Sequence, residues 1–222
     1  MFGKLWHRFS RRANSLKKFE PLGPLYDFRS DGNALSGPKR WAVGSDEDYG
    51  GQSTAVWSLE DDKAVFSGHL SLDPSVEVHR TGFAHCLGRL PWHLRDATGY
   101  NGLELTVKAD HHRYLVNVKP KTFIPDDLYQ GLLVISEELR GEWVTARLHF
   151  RDFVLTGRGR LKTEYREFDS RELLSLGFSV QDEVEGDFRL EVESINLCWP
   201  DGDISNSHEK TMEERYNERF RR

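Results

Sequence analysis

Residues 102–120 read GLELTVKADHHRYLVNVKP. Leu103, Leu105, Val107 and Ala109 fall on one side of an alternation, with Glu104, Thr106 and Lys108 on the other. After the polar corner ADHH, Tyr114, Val116 and Val118 fall together. A period of two is the mark of half-buried strands, because successive side chains point to opposite faces. The same period extends outward. In EWVTARLHF (142–150), Val144, Ala146, Leu148 and Phe150 oppose Trp143, Thr145, Arg147 and His149. In DFRLEVESINLCW (187–199), Phe188, Leu190 and Val192 alternate, then the phase slips to Ile195, Leu197 and Trp199, as a β-bulge requires.

STAVWSL (53–59), KAVFSGHL (63–70), VEVHRTGFAH (76–85), YQGLLVIS (129–136) and LGFSVQD (176–182) are further strand candidates. About nine short strands separated by Gly, Asp and Pro turns predict a β-sandwich or barrel. Parallel pairing needs helical crossovers, and few helical runs exist; SRELLSL (170–176) reads as one or two helical turns.

The bulk numbers agree. A chain of 222 residues, 37% hydrophobic and 30% charged, suits one domain or two small ones. At this size a core forms without covalent staples. No apolar run reaches the roughly 18 residues of a membrane-spanning helix. Cys86 and Cys198 are too few for a disulfide framework and fit a reducing compartment.

The net charge of −5 is unevenly placed. Residues 1–22 carry Lys4, Arg8, Arg11, Arg12, Lys17 and Lys18 against Glu20 alone, which leaves the body acidic and argues against a nucleic-acid surface on it. Phe2, Leu5, Trp6, Phe9, Ala13 and Leu16 recur at helical spacing, and Pro21 and Pro24 end the pattern. Such a basic amphipathic helix serves as a targeting segment or lies on an anionic membrane surface, with Phe2, Leu5, Trp6 and Phe9 inward and Arg8, Arg11 and Arg12 toward headgroups; packing on the protein's own body is the plainer alternative. Residues 203–222 are almost all charged, with Met212, Tyr216 and Phe220 at every fourth place, and read as a solvated helix or a frayed tail. The expected organisation is therefore a helix at 1–22, a sandwich at 25–202 and a tail at 203–222.

Catalytic signatures are weak. There is no G-x-S-x-G elbow, P-loop or H-E-x-x-H. TGRGR (156–160) is a turn rather than a phosphate cradle. His79, His85, Cys86, His93, His111 and His112 crowd one third of the chain, but their spacing matches no standard zinc arrangement. Cys86 beside His85 on a strand faces the other way and reads as a core residue. In SDEDYGGQST (45–54) the acids would repel phosphate, and the acids do not continue past Gly50-Gly51 as a calcium loop requires, so the segment reads as a sandwich corner. No metal or cofactor is expected.

The order of motifs carries a resemblance: Trp41, Ser45-Asp46, Gly50-Gly51-Gln52-Ser53, Phe66-Ser67-Gly68, Asp110 with Tyr114 and Asn117, Asp127-Leu128-Tyr129-Gln130, Trp143, Asp152-Phe153 and Gly177-Phe178. From about Tyr26 to Trp199 the chain resembles the complex I intermediate-associated protein 30 family. The resemblance implies an all-β, galactose-binding-like jelly-roll sandwich. It also implies a non-catalytic assembly chaperone acting on membrane-arm subunits of mitochondrial respiratory complex I with other assembly factors. The expected location is the matrix side of the inner membrane, held peripherally by anionic lipid. The expected contact residues are Trp41, Asp46, Tyr49, Gly50, Gly51, Ser53, Asp110, Tyr114, Asn117, Asp127, Tyr129, Gln130, Asp152 and Phe153. Two other readings stand beside it. One is a carbohydrate- or small-ligand-binding jelly roll using Trp57, Trp92 and Tyr100 as a stacking platform. The other is a metal-dependent enzyme using the histidine-rich third.

Overall fold

The computed structural model describes residues 24–29, 40–73, 81–122, 124, 126–157, 160–163, 166 and 168–199. The helices expected at 1–22 and 203–222 lie outside them. Among the described residues, no helix is long and apolar enough to cross a membrane.

In chain order the strands are β1 (Tyr26–Asp27), β2 (Trp41–Ser45), β3 (Thr54–Glu60), β4 (Lys63–Leu70), β5 (Ala84–Arg89), β6 (Gly102–Ala109) and β7 (Tyr114–Pro120). They continue as β8 (Asp127–Leu132), β9 (Val144–His149), β10 (Val154–Gly157), β11 (Arg160–Leu161), β12 (Leu173–Val180) and β13 (Gly186–Cys198). Two antiparallel sheets form a sandwich. One runs β3-β4-β13-β6-β9 with β1 beside β13, and the other runs β11-β10-β8-β7-β12-β5-β2. The alternation read from the sequence points inward as expected: Leu103, Leu105 and Val107 of β6 face Tyr114, Val116 and Val118 of β7 across one core. The phase slip in β13 is a bulge, with the pairing to β6 jumping between Val192 and Ser194.

Two expectations need correction. SRELLSL is not helical beyond a turn, because Leu173 already begins β12. β12 is paired on both edges, by β5 and β7, and nearly every residue in it is buried, so its sequence runs apolar instead of alternating. Of the strand sought at 76–85, residues 76–80 lie outside the described residues, and the described part enters a strand only at Ala84, where β5 begins.

At one end of the sandwich Trp41 of β2 stacks on Trp57 of β3 with ring centroids 3.7 Å apart, and Tyr26 and Phe28 pack around them. Such ring pairs add about 0.5–1.5 kcal/mol each beyond the area they bury. The contact depends on Gly88, where a Cβ would sit 2.5 Å from Trp41 Cε2.

Candidate functional site

The fourteen residues expected as contacts separate into clusters of different character. The first is the corner between β2 and β3. Asp46 is fully buried, and its carboxylate accepts from Ser53 N at 2.7 Å, Ser53 Oγ at 2.8 Å and Gly82 N at 2.6 Å. Ser45 Oγ donates to Ser53 O at 2.5 Å. Gly50 turns the chain with φ 92°, a conformation that glycine adopts without strain. A Cβ at Gly51 would lie 2.3 Å from Asp46 Oδ1. Each polar atom here ties one segment of backbone to another. Tyr49 stands out from the corner, exposed beside Phe83. Trp41, nearby in sequence, lies in the core.

The second cluster is the β6–β7 corner. Asp110 accepts from His112 N at 2.9 Å, the Tyr114 hydroxyl at 3.0 Å and Arg189 N at 2.5 Å. Burial and the adjacent Asp110 push the Tyr114 phenol up, which keeps it a proton donor. His112 sets its ring nitrogens against the Asp182 carboxylate and the Asp187 carbonyl, all at 3.2 Å. Ligand atoms of Asp110, His111 and His112 lie within 4.8 Å of one another. A cation there would have to break the bonds that Asp110 and His112 already make, so the cluster is built as a hydrogen-bonded corner.

The third is the antiparallel pair of β8 and β10. Asp127 is buried against Lys162, with Arg166 Nη1 3.4 Å away, and the Tyr129 hydroxyl donates to Arg166 O at 3.0 Å. Phe153 fills the core where Gly131 leaves room, since a Cβ at Gly131 would lie 2.9 Å from its ring. Asp152 lines a cavity of about 220 Å³ between β8 and β9 with Leu132, Val134 and Arg147. That volume falls below the roughly 300 Å³ at which small-molecule pockets begin.

The fourth cluster differs in kind. Asn117 and Gln130 are paired directly across β7 and β8, and both point away from the core, since Val116, Val118 and Tyr129 point into it. They meet Ser179 of β12 on the outer face of the seven-stranded sheet. Gln130 Nε2 donates to Asn117 Oδ1 at 2.9 Å and approaches Ser179 Oγ at 3.3 Å, and Ser179 Oγ donates to Asn117 Oδ1 at 3.3 Å. Asn117, Gln130 and Ser179 are 2%, 7% and 7% exposed. Among the described residues, Asn117 Nδ2 and Gln130 Oε1 have no hydrogen-bond partner. One donor and one acceptor thus remain unspent in a nearly buried amide cluster. Sequence reasoning reached Asn117 and Gln130 through motif order but missed Ser179, which only strand pairing brings to them.

The rings proposed as a sugar platform do not form one. Trp57 is in the core, Tyr100 is buried against Trp199, and Trp92 is exposed beside His93. Cys86 is fully buried while His85 of the same strand is exposed, and burial pushes the Cys86 thiol up, away from the nucleophilic thiolate.

The sequence profile of the family described as Complex I intermediate-associated protein 30 matches residues 26–192. The mitochondrial Complex I intermediate-associated protein 30 of Neurospora crassa is 33% identical over 141 residues, covering 60% of this chain and 50% of that protein. Its counterpart in Drosophila melanogaster is 29% identical over 175 residues, 71% of this chain and 58% of that one. That of Mus musculus is 25% identical over 173 residues, 71% and 52% respectively. The chain thus spans about half the length of the curated relatives it matches. Among solved structures, a family 11 carbohydrate-binding module from Clostridium thermocellum superposes with a TM-score of 0.52 at 15% identity, covering 79% of this chain and 95% of that one. An agarase does so with a TM-score of 0.51 at 11% identity, covering 83% of this chain and 25% of that one. At these identities the likeness is one of fold.

Proposed function

The chain belongs to the complex I intermediate-associated protein 30 family, and from that membership we propose that it is a non-catalytic assembly factor for mitochondrial respiratory complex I. It binds membrane-arm intermediates and works with other assembly factors at the matrix face of the inner membrane. The basic amphipathic segment at 1–22 seats it on anionic lipid or directs its import. The family match carries this reading. Commitment of the Asp46 and Asp110 carboxylates to backbone donors supports the non-catalytic part, because a general acid or base needs a carboxylate free to exchange a proton with a substrate.

The test is removal of the chain from cells that carry it. Membrane-arm intermediates of complex I should accumulate on native gels while the mature complex falls. Normal levels of mature complex I would overturn the assembly role. Leu5→Asp combined with Trp6→Asp should release the protein from membranes or block its import, and unchanged fractionation would remove the membrane part of the reading.

A second reading, a small-ligand module, draws on the unspent amide atoms at Asn117 and Gln130 and on the fold shared with a carbohydrate-binding module. Titration of the chain with a mixed-linkage β-glucan tetrasaccharide tests it.

A further inference from the structure

The two outer faces of the sandwich are finished differently. On the six-stranded sheet the charges are paired across and along strands. Arg189 reaches Glu60 at 2.6 Å and Glu191 at 2.8 Å, Lys63 reaches Glu191 at 3.1 Å, and Arg147 reaches Glu104 at 2.8 Å. On the seven-stranded sheet one row crosses five strands: Leu87, Gly177, Asn117, Gln130 and Val154. Leu115 and Leu132 stand opposite each other in the neighbouring row. Gly177 leaves the middle of the row without a side chain, and a Cβ there would lie 2.0 Å from Cys86 O. The floor is neutral. Among the described residues, the bases Arg89 and Lys119 stand one row away on one side, and Asp48 stands beside His85 on the other.

We infer that this row is a docking groove for an extended, uncharged peptide segment of a partner protein, whose backbone is read by Asn117 Nδ2 and Gln130 Oε1. A peptide unit offers one carbonyl acceptor and one N–H donor, which is the complement of the one donor and one acceptor left free here. Neither atom is sealed from solvent, so both can be reached from outside, at the floor of residues that are otherwise nearly buried. Flanking Leu87, Leu115, Leu132 and Val154 suit aliphatic side chains on either side of that peptide unit. Five strands spaced about 4.8 Å apart span about 19 Å, which about six extended residues cross. A sugar would offer hydroxyls for the same two atoms, but the outward positions of these five strands hold no Trp, Tyr or Phe on which a pyranose ring stacks. The groove deepens the assembly reading and rests on it only for the identity of the partner.

The experiment pans a phage-displayed library of random dodecapeptides on the full chain, then measures the best peptide by fluorescence anisotropy. Enriched peptides should carry aliphatic residues around an uncharged centre. Asn117→Asp keeps the oxygen that accepts from Gln130 and replaces only the unspent donor, so it should weaken binding at least about tenfold, the worth of one well-buried hydrogen bond. Leu87→Lys places a charge in the groove without touching the core. It should do the same, and it decides the matter if Asn117→Asp fails to fold. Glu60→Ala on the opposite face should leave binding intact. Enrichment of peptides with charged centres, binding unchanged in both groove variants, or competition of the tetrasaccharide for this face would overturn the groove. The two readings separate cleanly. Failure of peptide binding in a chain whose deletion still stalls complex I would sink the groove and leave the assembly role standing. Groove-dependent peptide binding by a chain whose deletion leaves mature complex I at normal levels would support the groove and sink the assembly role.

Discussion

Asp46 and Asn117 are buried almost equally, at 0% and 2% exposure, and each sits at the centre of a polar cluster. They differ in what is left over. All three donors around Asp46 belong to the chain itself, and they lock the β2–β3 corner to the backbone before β5. Asn117 spends its oxygen on Gln130 and Ser179 and, among the described residues, keeps its Nδ2 unused. Buried polar groups are hydrogen-bonded as a rule, because an unpaired one costs about 1–3 kcal/mol. A spent cluster is therefore explained by the fold, whereas an unspent one at the surface asks for an outside partner.

The largest expected effect tests the first half of that contrast. Asp46→Ala leaves Ser53 N, Ser53 Oγ and Gly82 N without their acceptor in a dry corner, and should destabilise by about 4 kcal/mol in urea unfolding. Gly51→Ala drives a methyl into the same carboxylate and should cost about 2 kcal/mol, non-additively with Asp46→Ala because both act on one group. A loss under about 1 kcal/mol for Asp46→Ala would show that water replaces the carboxylate, and the corner would no longer count as spent.

Asn117→Ala should come next, at about 1 kcal/mol, since only neutral hydrogen bonds are lost and the unspent amide N–H contributed nothing to folding. A loss as large as that of Asp46→Ala would mean that the amide cluster is a structural core after all.

The same contrast explains what the sequence made legible. The GLELTVKAD segment holds the whole of β6, Gly102–Ala109, because a β-strand with one wetter face writes its period into the chain. The bulge in β13 was legible for the same reason. β12 was legible only in its second half, as LGFSVQD; its first half read as a helical turn, because pairing on both edges and burial on both faces erase the alternation. β2, with a glycine in five residues, and the two-residue β11 were too short to show a period. The Asp46 corner was readable as a corner from its Gly-Gly pair and its crowd of acids. The amide floor was not readable as a unit. Asn117 and Ser179 are 62 residues apart, and only the registry of β7 with β12 and β8 brings them together with Gln130.

Titration sharpens the comparison further. The Asp182 carboxyl at the β6–β7 corner carries an acid response, whereas the amide floor holds no titratable group. Burial alone would raise the Asp182 carboxyl, but the Arg113 N–H and His112 bind its charged form and hold it below the usual range. A depressed carboxyl contributes stability that is present above its unfolded value of about 3.9 and is lost as pH falls through the lower folded value. Unfolding midpoints should therefore drop in that acid window, and the drop should be shallower in Asp182→Asn. Equal slopes in the two proteins would detach the β6–β7 corner from acid lability.

The smallest expected effect concerns Trp92, the one ring of the proposed sugar platform that remains exposed, at 82%. Among the described residues its ring contact is with His93, its neighbour in sequence. It follows β5 in a short 3-10 turn that holds no buried residue. Nothing in this setting makes the side chain part of the fold, so Trp92→Ala should shift stability by no more than about 0.5 kcal/mol. It should also leave peptide binding unchanged, because the groove row crosses the sheet through Leu87 and Asn117 and the ring lies beyond the strand end. Loss of peptide binding in Trp92→Ala, measured on the same peptide that Asn117→Asp is tested with, would move the docking surface off the amide floor and onto the loop after β5, where an exposed aromatic ring and not an unspent hydrogen bond would set the affinity.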